Sequence, residues 1–467
     1  MFWNAFEKFS VQGSQFLFGV LLARLLVPAD FGLVGMLAIF IALAQIFVDS
    51  GMGSGLIQLK QRTKHDFSTV FIFNFAVSTF VYLILFFSAP YIAKFYATPA
   101  LLNITRVIGL NIIINSLSIV QRSRLKIRLD FKTLAKVNIA SVLISGVCSV
   151  FLAYSGLGVW SLVYRQVIYS VISVVLLWYF NRWKPSFTFS KESFKNLFGY
   201  GSKILAAGIY AQVFQDIYNI VIGKVYSAGS LGYFTQAKQL TALTAGTVTN
   251  ILQQVTFPIL ASLQEDKERM ISVYRRLIRM TAFFIFPVMT ILALMAEPFI
   301  ELFLGEKWLP TVPLLQWMCF ARILYPISTL NMNILKANGR SDVFLKVDLS
   351  KAPIMIIALI ITIPISVKAM VIGQVVTTLI SFFINAYMPG KLFGYGILSQ
   401  LKDLLPMIYA TIAAAFFSYL STMVTDMLIL KLTLGVLSGL GSYLFMSSIL
   451  KIDELKEVKI LLAKIHR

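Results

Sequence analysis

The sequence has very few of the residues that soluble enzymes and metal sites use. Only 13% of its 467 residues are charged, and it contains two cysteines and two histidines. Cys148 and Cys319 fall inside apolar runs, whereas His65 and His466 fall in polar gaps. These positions leave no disulfide framework, no Cys/His metal cluster and no Cys/His nucleophile pair. We therefore expect no metal and no cofactor.

Long polar stretches are missing as well. No gap between apolar runs is long enough for a folded soluble domain, and the longest external gap covers only residues 297–310. Membrane glycosyltransferases, polymerases and ligases generally place catalytic acid, base or His groups on a substantial external loop or domain. The sequence therefore predicts a protein that is not an enzyme.

The chain consists mainly of apolar runs. Hydrophobic residues make up 58% of the sequence and mean hydropathy is +0.81, which excludes a water-soluble fold. About fourteen runs approach the ~20 residues that a helix needs to cross the hydrocarbon layer. They lie at 9–27, 33–58, 68–93, 101–121, 137–155, 159–180, 203–223, 232–260, 280–300, 311–335, 349–366, 369–388, 404–423 and 427–449.

Basic residues alternate along the gaps between these runs. Of the 41 Lys and Arg residues, 31 lie in every second gap, seven lie in the other gaps and three lie inside segments. Short loops rich in Lys and Arg stay cytoplasmic, so both termini of this multi-pass membrane protein are predicted to lie in the cytoplasm. The net charge of +21 then reports topology and attraction to anionic membrane lipids, and nucleic acid is not expected as a partner.

The first and seventh segments match without gaps at an offset of 200 residues, which indicates a duplicated unit. The matches are Gln12 with Gln212, Gln15 with Gln215, Arg24 with Lys224, and Phe31-Gly32 with Leu231-Gly232. We predict an all-α polytopic membrane protein of two six-helix bundles plus two C-terminal helices. Its predicted parts are a bundle at 1–180, a cytoplasmic amphipathic linker at 181–202, a bundle at 203–390, and two extra helices with a cytoplasmic tail at 391–467.

Polar residues inside the segments form stripes at helical spacing. Gln212, Gln215, Asp216 and Asn219 share one face of segment seven; Asn250 and Gln254 lie on a stripe of segment eight, and Arg322 and Asn333 on segment ten. Polar groups in lipid are costly unless paired or hydrated, so these faces look inward. One interpretation is a hydrophilic cavity between two lobes, and the other is Gln and Asn side chains that join packed helices. Asp216 favours the cavity, because an ionisable group at mid-membrane is a poor packing device.

Several charged residues have two interpretations. Asp49, beside Gly51 and Gly53, is either a cation or proton site or a solvated helix end. Arg322 could neutralise Asp216 or meet an anionic substrate group. Arg24, near the end of segment one, is ambiguous on physical grounds alone.

Four motifs of the chain are typical of a known family. They are Leu22-Ala23-Arg24-Leu25-Leu26-Val27-Pro28-Ala29-Asp30-Phe31-Gly32, Phe47-Val48-Asp49-Ser50-Gly51-Met52-Gly53, Leu304-Gly305-Glu306-Lys307-Trp308 and Lys336-Ala337-Asn338-Gly339-Arg340. With these motifs the chain resembles the polysaccharide flippases of the multidrug/oligosaccharidyl-lipid/polysaccharide (MOP) exporter superfamily, in particular its Wzx-like lipopolysaccharide branch. The resemblance implies alternating access and transport of a polyprenyl-diphosphate-linked oligosaccharide from the inner to the outer leaflet of the bacterial cytoplasmic (inner) membrane. No P-loop is found, so the energy source is expected to be an ion gradient, proton or sodium, or the substrate gradient.

These expectations assign roles to ten residues. Arg322 and Arg24 are expected to bind phosphate, and Asp216 and Asp49 are expected to take part in ion coupling. Six amide side chains are expected to hydrogen-bond sugar hydroxyls, namely Gln212, Gln215, Asn219, Asn250, Gln254 and Asn333. The alternatives are an ion-coupled multidrug antiporter of the same superfamily and a membrane glycan polymerase or ligase.

Overall fold

The computed structural model describes residues 2–49, 52–59, 62–186, 188–246, 249, 256 and 259–465, and within these ranges the regular structure is helical. The helices of the N-terminal part are α1 (Phe2–Leu25), α2 (Pro28–Asp49), α3 (Met52–Gln58), α4 (Lys64–Phe95), α5 (Leu101–Ile127), α6 (Phe131–Tyr154), α7 (Val159–Asn181), α8 (Lys191–Val225) and α9 (Ala228–Thr241). The later helices are α10 (Lys267–Leu294), α11 (Ala296–Phe303), α12 (Thr311–Ile323), α13 (Tyr325–Ala337), α14 (Ser341–Thr362), α15 (Val367–Phe393), α16 (Ile397–Ser421), α17 (Leu428–Ile449) and α18 (Asp453–Ile465).

Helices long and apolar enough to cross a bilayer dominate this architecture. Within the described residues, nine helical stretches meet that requirement, with α2 and α3 counted together. The prediction of an all-α, multi-pass membrane protein is thereby confirmed. The count of fourteen crossings stays a prediction.

Three of the predicted segments are divided in the structure. Segment 33–58 becomes α2 and α3, segment 280–300 spans the end of α10 and the start of α11, and segment 311–335 becomes α12 and α13, which meet at Leu324. Pro326 explains the last of these divisions, because it lacks the N–H that would bond to the carbonyl of Arg322 four residues earlier. Apolar length alone does not reveal such a break.

The predicted linker and segment seven are partly one helix. After Asn181 the chain is non-helical, and α8 then runs without interruption from Lys191 to Val225. The non-helical stretch is bound to the start of α4, where the Ser186 amide donates to Ser68 Oγ (3.1 Å) and the Ser190 amide to Thr69 Oγ1 (3.0 Å). The first half of the linker therefore has a fixed course along α4.

Contacts divide the chain into two units, Met1–Thr235 and Gln236–Arg467. In the first unit α4 packs on α5, α1 on α6, and α5 and α6 on α7, while α8 packs along α2. The predicted end of the first bundle at 180 and the predicted start of the second at 203 stay predictions.

Two glycines of the first unit allow helices to approach at backbone distance. A Cβ on Gly32 would stand 1.7 Å from the carbonyl oxygen of Ala228, and a Cβ on Gly232 would stand 1.9 Å from that of Pro28. Gly232 and Ala228 are offset by 200 residues from Gly32 and Pro28. This reciprocity is what a two-fold relation between duplicated elements produces. It supports the repeat inferred from the sequence.

The second unit has an apolar core that includes the C-terminal helix. Ile452 and Leu455 are buried in that core beside Tyr443 and Met407. Ion pairs fix the other face of α18, since Arg276 bonds to Glu457 (2.9 Å) and Arg279 Nη2 donates to Glu454 (3.1 Å). The predicted cytoplasmic tail is therefore an amphipathic helix docked on α10.

The close approach of the two glycines is open to a stability test. Gly32→Ala and Gly232→Ala should each destabilise the protein by about 1–3 kcal/mol, because the new methyl overlaps a backbone carbonyl. Thermal unfolding of the purified protein measures this. Gly13→Ala is the matched control, since a Cβ there meets nothing within 4 Å. Both substitutions act on one crossing, so the double variant should cost less than the sum. Equal melting of Gly32→Ala and Gly13→Ala would contradict the contact.

Candidate functional site

The polar residues of α8 form a hydrogen-bonded cluster around a carboxylate. Gln212 Nε2 donates to Asp216 Oδ2 (2.6 Å), and Asn219 Nδ2 donates to Asp216 Oδ1 (3.3 Å). Asp216 and Asn219 are buried, and Gln212 is half-buried. The spacing of these residues predicted one shared face, and the structure brings these three together.

The packing of α8 on α2 shows how deep the carboxylate lies. A Cβ on Gly208 would contact Ile46, and a Cβ on Gly223 would contact Met36, which places these two glycines near opposite ends of α2. Asp216 lies between Gly208 and Gly223 on α8. It is therefore near the middle of the paired helices, where an ionisable group points to a functional site.

Gln215 differs from its neighbours on the stripe. Its side chain is exposed, while Asp216 is buried. The face that the sequence assigned to all four polar residues thus has a buried part and an exposed edge.

Arg24 and its counterpart in the repeat lie at the ends of two helices. Arg24 is exposed in the last turn of α1. Lys224, 200 residues later, donates to the carbonyl oxygen of Phe95, with its ammonium 4.8 Å from the centre of the Phe95 ring. The exposure of Arg24 is compatible with the predicted role near phosphate, which stays a prediction.

Asp49 is the last residue of α2, at the division between α2 and α3. Gln45 Nε2 donates to Asp49 Oδ1 (3.2 Å), and Arg122 and Lys126 of α5 attract its charge. The carboxylate thus lies at the end of α2 that is near the basic end of α5. Both earlier interpretations, a coupling site and a helix end, remain open.

Arg322 lies at the break between α12 and α13. Its guanidinium stands over the Tyr325 ring at 5.2 Å, and no hydrogen bond or ion pair joins it to another described residue. Pro326 has no N–H to donate to the Arg322 carbonyl, so the helical hydrogen bond that this carbonyl would normally accept is missing at the break. Broken helices inside membrane proteins occur where the backbone is buried in protein or lines a cavity.

Asn333 lies further along α13. Its side chain is 6% exposed, and in the part of the chain that the structure describes its Nδ2 has no hydrogen-bond partner. Asn250 and Gln254, also predicted to bind substrate, lie outside the described residues.

The sequence did not predict a buried network two residues before Asn333. Tyr274 donates its hydroxyl to Asn331 Oδ1, and Gln400 Nε2 donates to both Asn331 Oδ1 (3.1 Å) and the Tyr274 oxygen (3.2 Å). These residues join α10, α13 and α16. Tyr274 and Gln400 lie in gaps between the predicted segments, so the stripe criterion could not find them.

The same part of the second unit contains a bidentate ion pair. Arg275 donates to both carboxylate oxygens of Asp403, with Nη2 at 2.6 Å, and the Tyr395 hydroxyl donates to the same carboxylate (2.8 Å). Burial, followed by that hydrogen bond, raises the pKa of Tyr395. Its hydroxyl therefore stays protonated as a donor. Within the described ranges, no group of three or more His, Cys, Asp or Glu side chains is placed so that it could hold a metal ion.

Comparison with known proteins identifies the family. A family model described as polysaccharide biosynthesis protein matches residues 21–313, more than half of the chain. The chain belongs to this family. It is 28% identical to the teichuronic acid biosynthesis protein TuaB of Bacillus subtilis (strain 168) over 64% of this chain, and the match spans 62% of TuaB. It is also 23% identical to the lipopolysaccharide biosynthesis protein WzxC of Escherichia coli (strain K12), over 82% of this chain and 79% of WzxC.

A solved structure supports the fold of this family member. The lipid II flippase MurJ, in an inward closed conformation, is similar with a TM-score of 0.77 over 97% of this chain and 98% of MurJ, at 18% identity. Together with the family match, this confirms the MOP-superfamily, Wzx-like resemblance.

The stripe on α8 allows a test that separates a hydrated path from a lipid-facing or packed surface. In a Cys148→Ala/Cys319→Ala background, the Gln215→Cys variant should react with a water-soluble thiol reagent, because the reactive thiolate forms in water. The Leu437→Cys variant is the matched control, since Leu437 of α17 is 68% exposed on an apolar span and should stay unreactive. Equal rates for the two variants would mean that this edge of α8 does not border water.

Proposed function

We propose that this protein is a flippase that moves a polyprenyl-diphosphate-linked oligosaccharide from the inner to the outer leaflet of the bacterial cytoplasmic membrane by alternating access. The observation that carries the proposal is the family match over residues 21–313, in a chain whose fold is similar to that of the lipid II flippase MurJ over 97% of its length. Its relatives TuaB and WzxC are named for the biosynthesis of teichuronic acid and of lipopolysaccharide.

The proposed architecture has fourteen crossings with both termini in the cytoplasm. Two six-helix bundles, at 1–180 and 203–390, would be the moving parts, and the last two crossings would follow at 391–467. The positions of the 31 basic residues in alternate gaps support this orientation. The reciprocal contacts of Gly32 and Gly232 support the duplication.

The substrate divides chemically into a polar head and a lipid tail. The tail can remain in the bilayer, whereas a diphosphate with sugars needs charge and hydrogen bonds in place of water. We propose that the α8 amides of Gln212, Gln215 and Asn219 bind sugar hydroxyls, and that Asn250, Gln254 and Asn333 do so in the second unit. The unpaired Nδ2 of Asn333 supports this role.

Arg322 is the residue that we propose to bind phosphate deep in the membrane. Its guanidinium stacks on Tyr325 and has no carboxylate bonded to it within the described residues. An arginine that is not already neutralised can give two parallel hydrogen bonds to a phosphate. Arg24 would serve the same purpose at the end of α1.

Asp216 and Asp49 are the proposed sites of ion coupling. Asp216 lies near mid-membrane with two amide donors, and such a carboxylate can take up a proton or a sodium ion as the transporter changes state. The gradient of the substrate itself is the alternative source of energy.

The function is tested by deleting the gene. The deletion strain should accumulate a lipid-linked oligosaccharide in the inner leaflet and lose its surface polysaccharide, because synthesis continues while export stops. Mass spectrometry of extracted lipids measures the accumulation and identifies the sugar. Resistance to cationic drugs on overexpression, with unaltered surface polysaccharide, would instead indicate an antiporter. Sugar polymerisation by the purified protein would indicate a polymerase.

The phosphate roles are tested in the same strain. Arg322→Ala and Arg24→Ala, at normal membrane levels, should fail to restore surface polysaccharide, since loss of a charge-assisted hydrogen bond of about 1.5–3 kcal/mol weakens binding roughly tenfold or more. Arg340→Ala is the matched control, because Arg340 pairs with exposed Asp342 (3.2 Å) at the helix start. Full restoration by Arg322→Ala would remove the phosphate role of Arg322.

A further inference from the structure

One face of α5 is polar from its cytoplasmic end to its middle. Asn111, Asn115, Ser118 and Arg122 follow one another at spacings of four, three and four residues, so they share this face. Asn111 and Ser118 are each 4% exposed. The stripe therefore runs inside the first unit and is not a solvated helix surface.

Asn111 ends the stripe with an amide that has no partner. Neither Oδ1 nor Nδ2 of Asn111 makes a hydrogen bond within the described residues. Leaving a buried amide unpaired is costly, and natural proteins rarely do so without a reason. A partner from outside the chain would satisfy both atoms, and a sugar hydroxyl can donate and accept at once.

Arg122 begins the stripe and is held by neutral oxygens. Its Nη1 donates to Asn138 Oδ1 (3.2 Å) and its Nη2 to Ser173 Oγ (2.6 Å), which fixes the guanidinium between α6 and α7. The nearest bonded carboxylate is one step further, because Asn138 Nδ2 donates to Glu7 (2.5 Å). The guanidinium is therefore oriented while its charge has no direct counter-ion.

Asp49 supplies a weak internal counter-charge to this site. Asp49 is the last residue of α2, which packs on α5, and its carboxylate accepts from Gln45 Nε2 (3.2 Å). The chain after Asp49 is joined to α5, since Ser123 Oγ donates to the carbonyl oxygen of Gly53 (3.3 Å). Asp49 therefore lies near this end of α5, and within the described ranges no salt bridge joins it to Arg122 or Lys126.

We propose that this face of α5 is a cytoplasmic loading site for the lipid-linked sugar. Arg122 and Lys126 bind the diphosphate, Asn115 and Asn111 receive the sugar, and Asp49 is the counter-charge that the diphosphate displaces. The proposal rests on the proposed function. It gives a binding role to two of the basic residues that the charge pattern alone attributes to topology.

A purely structural role for the cluster predicts a different response. If Arg122 only ties α5 to α6 and α7, removal of the Asp49 charge leaves anion binding unchanged. If Asp49 competes with the ligand for the same cations, its removal strengthens anion binding. The two accounts therefore differ in the effect of Asp49→Asn.

The decisive measurement is binding of inorganic diphosphate to the purified full-length protein in neutral detergent. Arg122→Gln should weaken binding about tenfold or more and Lys126→Gln about threefold, whereas Asp49→Asn should strengthen it about threefold. Arg128→Gln is the matched control, because Arg128 is exposed just beyond α5 and its substitution removes the same charge. Lys126 and Asp49 are exposed and make no hydrogen bond to Asn138 or Ser173, so their variants keep the test valid if Arg122→Gln fails to fold.

Two further arms identify the ligand. Asn111→Leu should weaken binding of a farnesyl-diphosphate-linked disaccharide but not of inorganic diphosphate, since only the disaccharide reaches the amide. Displacement of diphosphate by phosphatidylglycerol vesicles at matched phosphate concentration would overturn the assignment in favour of a lipid headgroup. Equal affinities of Lys126→Gln, Asp49→Asn and Arg128→Gln would overturn the site itself.

The outcomes separate this site from the function. A deletion strain that accumulates lipid-linked sugar, combined with unchanged diphosphate binding in the variants, would reject the loading site and keep the flippase. Accumulation of no lipid-linked sugar, with variant-sensitive binding, would reject the flippase and keep an anion site.

Discussion

The structure depends on the cost of leaving a polar group unpaired where water is absent. Hydrogen bonds avoid this cost at Asp216, whose carboxylate accepts from Gln212 and Asn219 of its own helix. They avoid it also at Tyr274, Asn331 and Gln400, since each of these side chains is hydrogen-bonded to the other two. Other buried polar atoms lack a partner within the described residues, and Asn111 stands out among them because both atoms of its amide are unpaired. Exceptions of this kind are where a ligand or water completes the structure.

The positions of the helices could be predicted because apolar length and gap charge are local properties of the sequence. The divisions within helices could not be predicted in the same way. The chain breaks at Leu324, where Pro326 withholds a donor, yet Pro287 and Pro353 lie inside unbroken α10 and α14. The surrounding packing decides which proline breaks a helix, and packing involves residues distant in sequence. The same reason explains why the sequence predicts only a cytoplasmic tail where α18 lies, since its partners Arg276 and Arg279 precede it by about 175 residues.

The candidate site shows the same division between local and distant information. The spacing of Gln212, Asp216 and Asn219 lies within two helical turns, so periodicity was sufficient to place them together. The position of Arg122 depends on Asn138 and Ser173, which belong to two other helices. Counting charges by gap assigns Arg122 the same role as Arg128, six residues further on. Only the acceptors around a cation distinguish a topology signal from a residue held in a fixed orientation.

A transporter must also release what it binds, and this limits how its cations can be arranged. Arginines with no internal competitor would hold a diphosphate strongly, and turnover would then be limited by dissociation. A nearby carboxylate that is not bonded to the cations, as proposed for Asp49, would reduce the net gain on binding and would remain available to replace the ligand when it leaves. Arg322, stacked on Tyr325 without a bonded acid among the described residues, lacks such a competitor. The two proposed sites should therefore differ in strength, with weaker phosphate binding at Arg122 and Lys126, near Asp49, and stronger phosphate binding at Arg322.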